Sequence, residues 1–173
     1  MNNTRMMAGD ARMSAPANTE NTRNTDKGNA TGQLSEHFSL EEMTRSGMAI
    51  RLRLENKPTA SDIARMRELC EQVLEPLRRR YGRICVTSGY RSVAVNKAVG
   101  GAARSQHLTG EAADIYVSGR VMAQKYSDFL MTHTDFDQLI VEPRHGRPRW
   151  LHISFTRRRK NRHEVINYRA CMQ

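Results

Sequence analysis

The sequence predicts an α+β fold, a small antiparallel sheet with helices packed on one face. Three observations carry that expectation. A sustained helical stripe runs from Thr59 or Ser61 to Gly82. Four short stretches, Ile84 to Thr87, Ala112 to Val117, Gln138 to Glu142 and Trp150 to Phe155, have strand length and strand patterning. Strands and helices then mix without the regular strand–helix–strand repeat that an all-parallel sheet requires, and no internal repeat is visible.

Taken in order, Ser39-Leu40-Glu41-Glu42 predicts a capping box, with Ser39 as the cap and Glu42 reaching back, and a short helix to about Gly47. In the long helix Ile63, Met66, Leu69, Cys70, Val73, Leu74 and Leu77 recur at three- and four-residue intervals, with Arg and Glu on the other side. Pro76 has no amide hydrogen to donate, so it should kink or loosen this helix near its end, and Gly82 stops it. Ile84 to Thr87 reads as a strand entering Ser88-Gly89-Tyr90-Arg91, followed by a short helix from Val93 to Ala98 and a loop at Gly100-Gly101. In the next strand Ala112, Asp114 and Tyr116 share one face. A helix from about Val121 to Met131 precedes the last two strands, which a basic loop with Pro143, Gly146 and Pro148 joins. Trp150, His152 and Ser154 point to one side and Leu151, Ile153 and Phe155 to the other, toward the helices. Glu164 to Arg169 is a weaker strand candidate.

A chain of 173 residues fits one domain with a real core. Residues Met1 to Gln33 are polar and aperiodic and are expected to be disordered, because they cannot bury enough apolar area to offset the entropy of ordering. No apolar run of secretory or transmembrane type appears, so a cytoplasmic product is expected, reaching a cell wall only after release or export. The organisation expected is therefore a polar segment over 1–33, a folded domain over 34–156 and a basic extension over 157–173. The three cysteines, Cys70, Cys85 and Cys171, form no C-x-x-C pair, and Cys70 and Cys85 are expected as small buried hydrophobes. The net charge of +10 is concentrated after Pro143, where nine Lys and Arg face Glu164 alone. Such an end attracts polyanions. With no aromatic interleaving and no nucleic-acid motif, a solvated basic face or adhesion to anionic wall polymers is favoured over a dedicated nucleic-acid site.

The chemistry is concentrated in Ser105-Gln106-His107-Leu108-Thr109-Gly110-Glu111-Ala112-Ala113-Asp114 and, much later, Trp150-Leu151-His152-Ile153-Ser154. His107 and Asp114 offer one nitrogen and one carboxylate oxygen, and His152 completes a three-ligand set whose fourth position is left to water, as in catalytic zinc sites. Gly110 allows a tight turn after the histidine, and the small Ala112 and Ala113 let the strand pack closely.

With these motifs the chain, from about Leu34 to Phe155, resembles the zinc D-Ala-D-Ala carboxypeptidases of the M15 peptidase family, in the branch common in phages and prophages. Leu34-Ser35-Glu36-His37-Phe38-Ser39-Leu40-Glu41-Glu42-Met43, Thr87-Ser88-Gly89-Tyr90-Arg91-Ser92, Val99-Gly100-Gly101 and Phe136-Asp137-Gln138-Leu139-Ile140-Val141-Glu142 carry the rest of the likeness. The resemblance implies a Hedgehog/D-Ala-D-Ala-peptidase-like fold and one Zn2+ held by His107, Asp114 and His152. It also implies hydrolysis next to D-alanine in peptidoglycan stem peptides, by a carboxypeptidase or an endolysin-type endopeptidase.

In several M15 enzymes the catalytic acid stands three residues before the last histidine ligand, where this chain has Arg149, which cannot accept a proton. In the phage-type branch the acid ends D-Q-L-I-x-E, which assigns the general base to Glu142. Asp137, Glu111 and a mechanism with no carboxylate base are the alternatives. Arg91 is the candidate catalytic cation, for a substrate carboxylate or the oxyanion. Tyr90 is expected to pack, Ser105 to orient the turn before His107, and His37, His133 and His163 to be solvated. His145 stands on the loop expected to overhang the site. Two other readings stay open: a zinc amidase or peptidase acting on a non-wall peptide, and a non-catalytic zinc-bound binding or structural module, which Arg149 favours.

Overall fold

Pro76 reshapes the helix that contains it. In the computed structural model, which describes residues 32–144 and 147–172, the stripe forms α3 (Ala60–Leu69), a π-helical turn (Cys70–Leu74) and α4 (Glu75–Tyr81) as one continuous rod. Pro76 cannot donate to the carbonyl four residues back and its ring crowds that carbonyl. The chain widens just before it, so that the Glu75 amide reaches Cys70 O, five residues back. The rod opens with a full capping box between Thr59 and Asp62 and closes at Gly82, where φ is 78°. Before it lie α1 (Leu40–Thr44) and α2 (Gly47–Leu52). Ser39 caps α1 by accepting from the Glu42 amide, the only half of the expected capping box that forms.

The sheet has the order β1-β2-β4-β3-β5, with β1 Val86–Ser88, β2 Ala112–Tyr116, β3 Gln138–Arg144, β4 Arg147–Ser154 and β5 Glu164–Ile166. Helix α5 (Val93–Ala98) and a 3₁₀ turn (Gln106–Thr109) lie between β1 and β2, α6 (Arg120–His133) links β2 to β3, and α7 (Tyr168–Met172) follows β5. The α+β class holds. The sheet is mixed rather than purely antiparallel, because β5 runs parallel to β3. The loop expected between β3 and β4 is shorter than anticipated. Both strands continue through Pro143 and Pro148, with a register shift after Glu142 that absorbs the first proline.

Alternation along the strands sorts the two faces as expected. Ala113, Ile115, Leu139, Val141, Leu151 and Ile153 are all fully buried in one core with Leu69, Leu74, Leu77 and Leu130 of the helices. Each of the larger ones contributes about 1.5–3 kcal/mol by leaving water. Cys70 is buried, as expected, but Cys85 is exposed. Ile84 takes the inward position on this edge segment and Cys85 faces out one residue later. Among the described residues no helix is long and apolar enough to cross a membrane. The segment expected to be disordered lies outside the described residues, except Gly32 and Gln33. Those two fold back on the domain, with Leu40 N donating to Gly32 O at 2.7 Å and Gln33 bridging Ser39.

The basic segment after Thr156 is built into the domain. Beyond the strand pairing of β5, Arg158 clamps the carboxylate of Glu111, which also accepts from Thr109 and Thr156. Arg159 and Arg162 converge on Asp137, a residue with no exposed surface. Burial works to raise both carboxyls, but the arginine partners outweigh it and hold them below the usual carboxylate range. A folded-state pKa below the unfolded value stabilises above about pH 4 and is lost as pH falls through the folded value. The double variant Arg159→Gln/Arg162→Gln strands the Asp137 charge. It should cost about 1–3 kcal/mol at pH 7, after allowing for solvent around half-exposed guanidinium groups. It should also flatten the decline of Tm between pH 7 and pH 3. An unchanged Tm and pH slope would mean that the clamp does not hold the fold.

Candidate active site

Strand β4 brings the site together. His152 stands opposite Asp114 on β2 and opposite Ile140 on β3, so three strands present one row of residues on the face away from the core. His107 arrives from the 3₁₀ turn above β2. Gly110 closes that turn at φ 74°, and a Cβ there would come 2.5 Å from Asp62 O. Gly89 makes the other close approach, since a Cβ on it would meet Met43 O at 2.2 Å.

His107 Nε2, Asp114 Oδ1 and His152 Nδ1 form a near-equilateral triangle, with sides of 3.0 and 3.1 Å. His107 and Asp114 are buried, and the His152 side chain is 13 % exposed. His107 Nδ1–H donates to Gly89 O at 2.6 Å, which directs the Nε2 lone pair into the triangle. Burial pushes the His107 imidazole down, toward its neutral form. Burial also works to raise Asp114, but contacts with the two histidines outweigh it and hold the carboxyl well below the usual range. The second Asp114 oxygen accepts from Arg91 Nη2, and Arg91 Nε is held by Ser88 Oγ at 2.8 Å.

This donor set fits a metal ion. With the His107 Nδ1 proton engaged elsewhere, a single proton on His152 Nδ1 cannot satisfy all three sides of the triangle, so acceptor atoms face one another. A cation between them removes that conflict. Tetrahedral zinc with bonds of about 2.0–2.1 Å sets its ligand atoms roughly 3.3 Å apart, close to the spacing here. Two imidazoles and one carboxylate oxygen suit zinc better than magnesium or calcium, which prefer oxygen shells.

The triangle opens into a cavity of about 1280 Å³, whose lining includes Arg91, Ser105, Tyr116, Ile140, Glu142, Arg149 and Trp150. Glu142 is one same-face step along β3 from Ile140, and pairs with Trp150 as Ile140 pairs with His152. Such a diagonal neighbour lies about 7–8 Å away, within reach of a glutamate acting through one water. Asp137 and Glu111, the alternative bases, are both buried in arginine clamps and do not line the cavity. Arg91 lines it but spends Nη2 on Asp114, so the structure places it as a group that orients that carboxylate as well as one that borders the cavity. Ser105 bonds locally at the turn before His107 through its backbone, its carbonyl accepting from the Leu108 amide at 3.1 Å.

Of the remaining histidines, His37 pairs with buried Glu75 at 2.9 Å, His133 stacks on Phe129 and His163 pairs with Asp135. His145 lies outside the described residues. Tyr90 packs, as expected. The carbonyl of Gly89, Ser88 Oγ and the Tyr116 ring were not singled out by sequence as parts of the site. The phase of Tyr116 with Asp114 was the available signal for the last of these.

Residues 36–154 match the model of the peptidase M15 family. No curated protein matches the chain. The match spans more than half of the chain and contains His107, Asp114, His152 and Glu142, so the chain belongs to the peptidase M15 family.

Proposed function

We propose that the protein is a zinc-dependent peptidase that hydrolyses a bond next to D-alanine in peptidoglycan stem peptides. The observation that carries this reading is the convergence of His107 Nε2, Asp114 Oδ1 and His152 Nδ1 at 3.0–3.1 Å in the lining of the cavity. Bound there, zinc supplies a Lewis acid and lowers the pKa of a coordinated water. Gly89 O fixes the His107 tautomer, and Arg91 holds one Asp114 oxygen so that the other faces the metal position. Glu142 takes a proton from the attacking water and returns it to the leaving amine. The partner is the stem peptide. Any adhesion to anionic wall polymers through the C-terminal segment falls on Lys160, Arg169 and Arg157, the last of which also pairs with Glu68 at 3.3 Å, because Arg158, Arg159 and Arg162 are committed to buried carboxylates.

The test is release of D-alanine from a pentapeptide stem by purified protein, with metal content measured on the same sample. About one zinc per chain and cleavage abolished by a chelator are expected. Full activity in metal-free protein would refute the reading. Stoichiometric zinc without cleavage of any stem peptide would instead favour the non-catalytic module, for which Arg149 at the usual acid position is the supporting feature.

A further inference from the structure

Five arginines line the cavity: Arg91, Arg104, Arg149, Arg159 and Arg162. Arg91 is paired with Asp114, and Arg159 and Arg162 with Asp137. Among the described residues Arg104 and Arg149 have no carboxylate partner. Of these two, Arg149 is nevertheless fixed in place. Its Nη1 donates to Tyr116 Oη at 3.1 Å, and its Cζ lies 4.7 Å from the centroid of the Tyr116 ring. Tyr116 is one same-face step from Asp114 on β2, roughly 7 Å along the strand, and stands opposite Trp150 as Asp114 stands opposite His152. The guanidinium is thus anchored one row from the metal-binding triangle.

We propose that Arg149, stacked on Tyr116, is the specificity-determining residue that receives a carboxylate of the substrate, so that the cavity selects peptides carrying a free carboxylate close to the scissile bond. This rests on reading the cavity as a peptide-binding site. Stacking on an aromatic face occupies one surface of the guanidinium and leaves the edge N–H groups not donated to Tyr116 Oη for a planar acceptor, which two carboxylate oxygens match. Because the ring and the hydroxyl already restrict the side chain, less rotamer freedom is lost on binding than for an unsupported arginine. Arg104 carries the same charge into the same cavity without such support, which makes it the internal control.

Trp150 is the one tryptophan of the chain and lines this cavity, so its fluorescence reports occupancy without relying on turnover. The zinc-loaded full chain would be mixed in stopped flow with N-acetyl-D-Ala-D-Ala or with its C-terminal amide. Wild type should bind the acid about tenfold more tightly than the amide, the scale of one charge-assisted hydrogen bond in a partly solvated site. Arg149→Gln should remove that preference and raise KM for the acid with little change in kcat. Tyr116→Leu, which changes no charge, should weaken the preference, and Arg104→Gln should leave most of it. Equal affinity for acid and amide in wild type, or an Arg104→Gln effect as large as that of Arg149→Gln, would overturn the assignment in favour of none or of diffuse charge attraction. Acid preference without hydrolysis would count against the peptidase reading and leave the carboxylate anchor standing. Hydrolysis of both peptides with equal KM would do the reverse.

Discussion

Replacing His107, Asp114 or His152 by Ala is expected to reduce bound zinc from about one per chain to a small fraction, and to abolish turnover with it. Three protein ligands leave little redundancy, since a two-ligand remnant must recruit a second water and loses much of its affinity. The three variants should differ in their effect on the fold. His152 is partly exposed, so His152→Ala should remain close to wild type in Tm without metal. Asp114→Ala takes the partner from the Arg91 guanidinium, and His107→Ala leaves the buried Gly89 carbonyl without its donor, so both should lower Tm. Adding zinc should raise the Tm of wild type, because an ion that binds only the folded state stabilises it by mass action, and should not raise that of the variants. Metal analysis and thermal unfolding with and without zinc provide the readout. A variant that keeps stoichiometric zinc would remove that residue from the ligand set.

The parts of this molecule legible in the sequence are those governed by short periodicities. The helical stripe from Ile63 to Leu77 and the alternation of Trp150, His152 and Ser154 against Leu151 and Ile153 depend on side-chain phase alone, which a linear chain displays directly. The grouping of His107, Asp114 and His152 was readable because so few residue types bind zinc and their spacing is restrictive. Long-range partners were not readable. Asp137 and Glu111 read as possible bases until Arg159, Arg162 and Arg158 were seen to enclose them, a pairing that depends on where a segment some twenty to fifty residues away returns. The parallel docking of β5 belongs to the same class, because three residues carry too little pattern to specify a neighbour. Cys85 illustrates a smaller failure. Its type suggests burial, whereas the position of Ile84 one residue earlier decides which side faces the core.

Glu142→Gln is expected to keep the fold and the zinc and to lower kcat by ~10²–10⁴, the usual worth of a positioned proton acceptor. Glutamine preserves the shape of the side chain and can still hold a water, but it cannot take up a proton near neutral pH. Glu142 is partly exposed at the end of the regular part of β3, still paired with Trp150 and just ahead of the register shift at Pro143, and its side chain belongs to the cavity rather than the core, so the change should leave Tm nearly unaltered. Arg149→Ala supplies the contrast. An always-charged guanidinium cannot shuttle the proton, so its loss should appear in KM and leave kcat within a few-fold of wild type. The two variants therefore separate proton transfer from substrate positioning in one cavity. A mild Glu142→Gln effect together with a zinc-loaded but inactive Arg149→Ala enzyme would move the chemistry to the arginine. Its contact with the oxyanion, rather than with a substrate carboxylate, would then account for the missing acid three residues before His152.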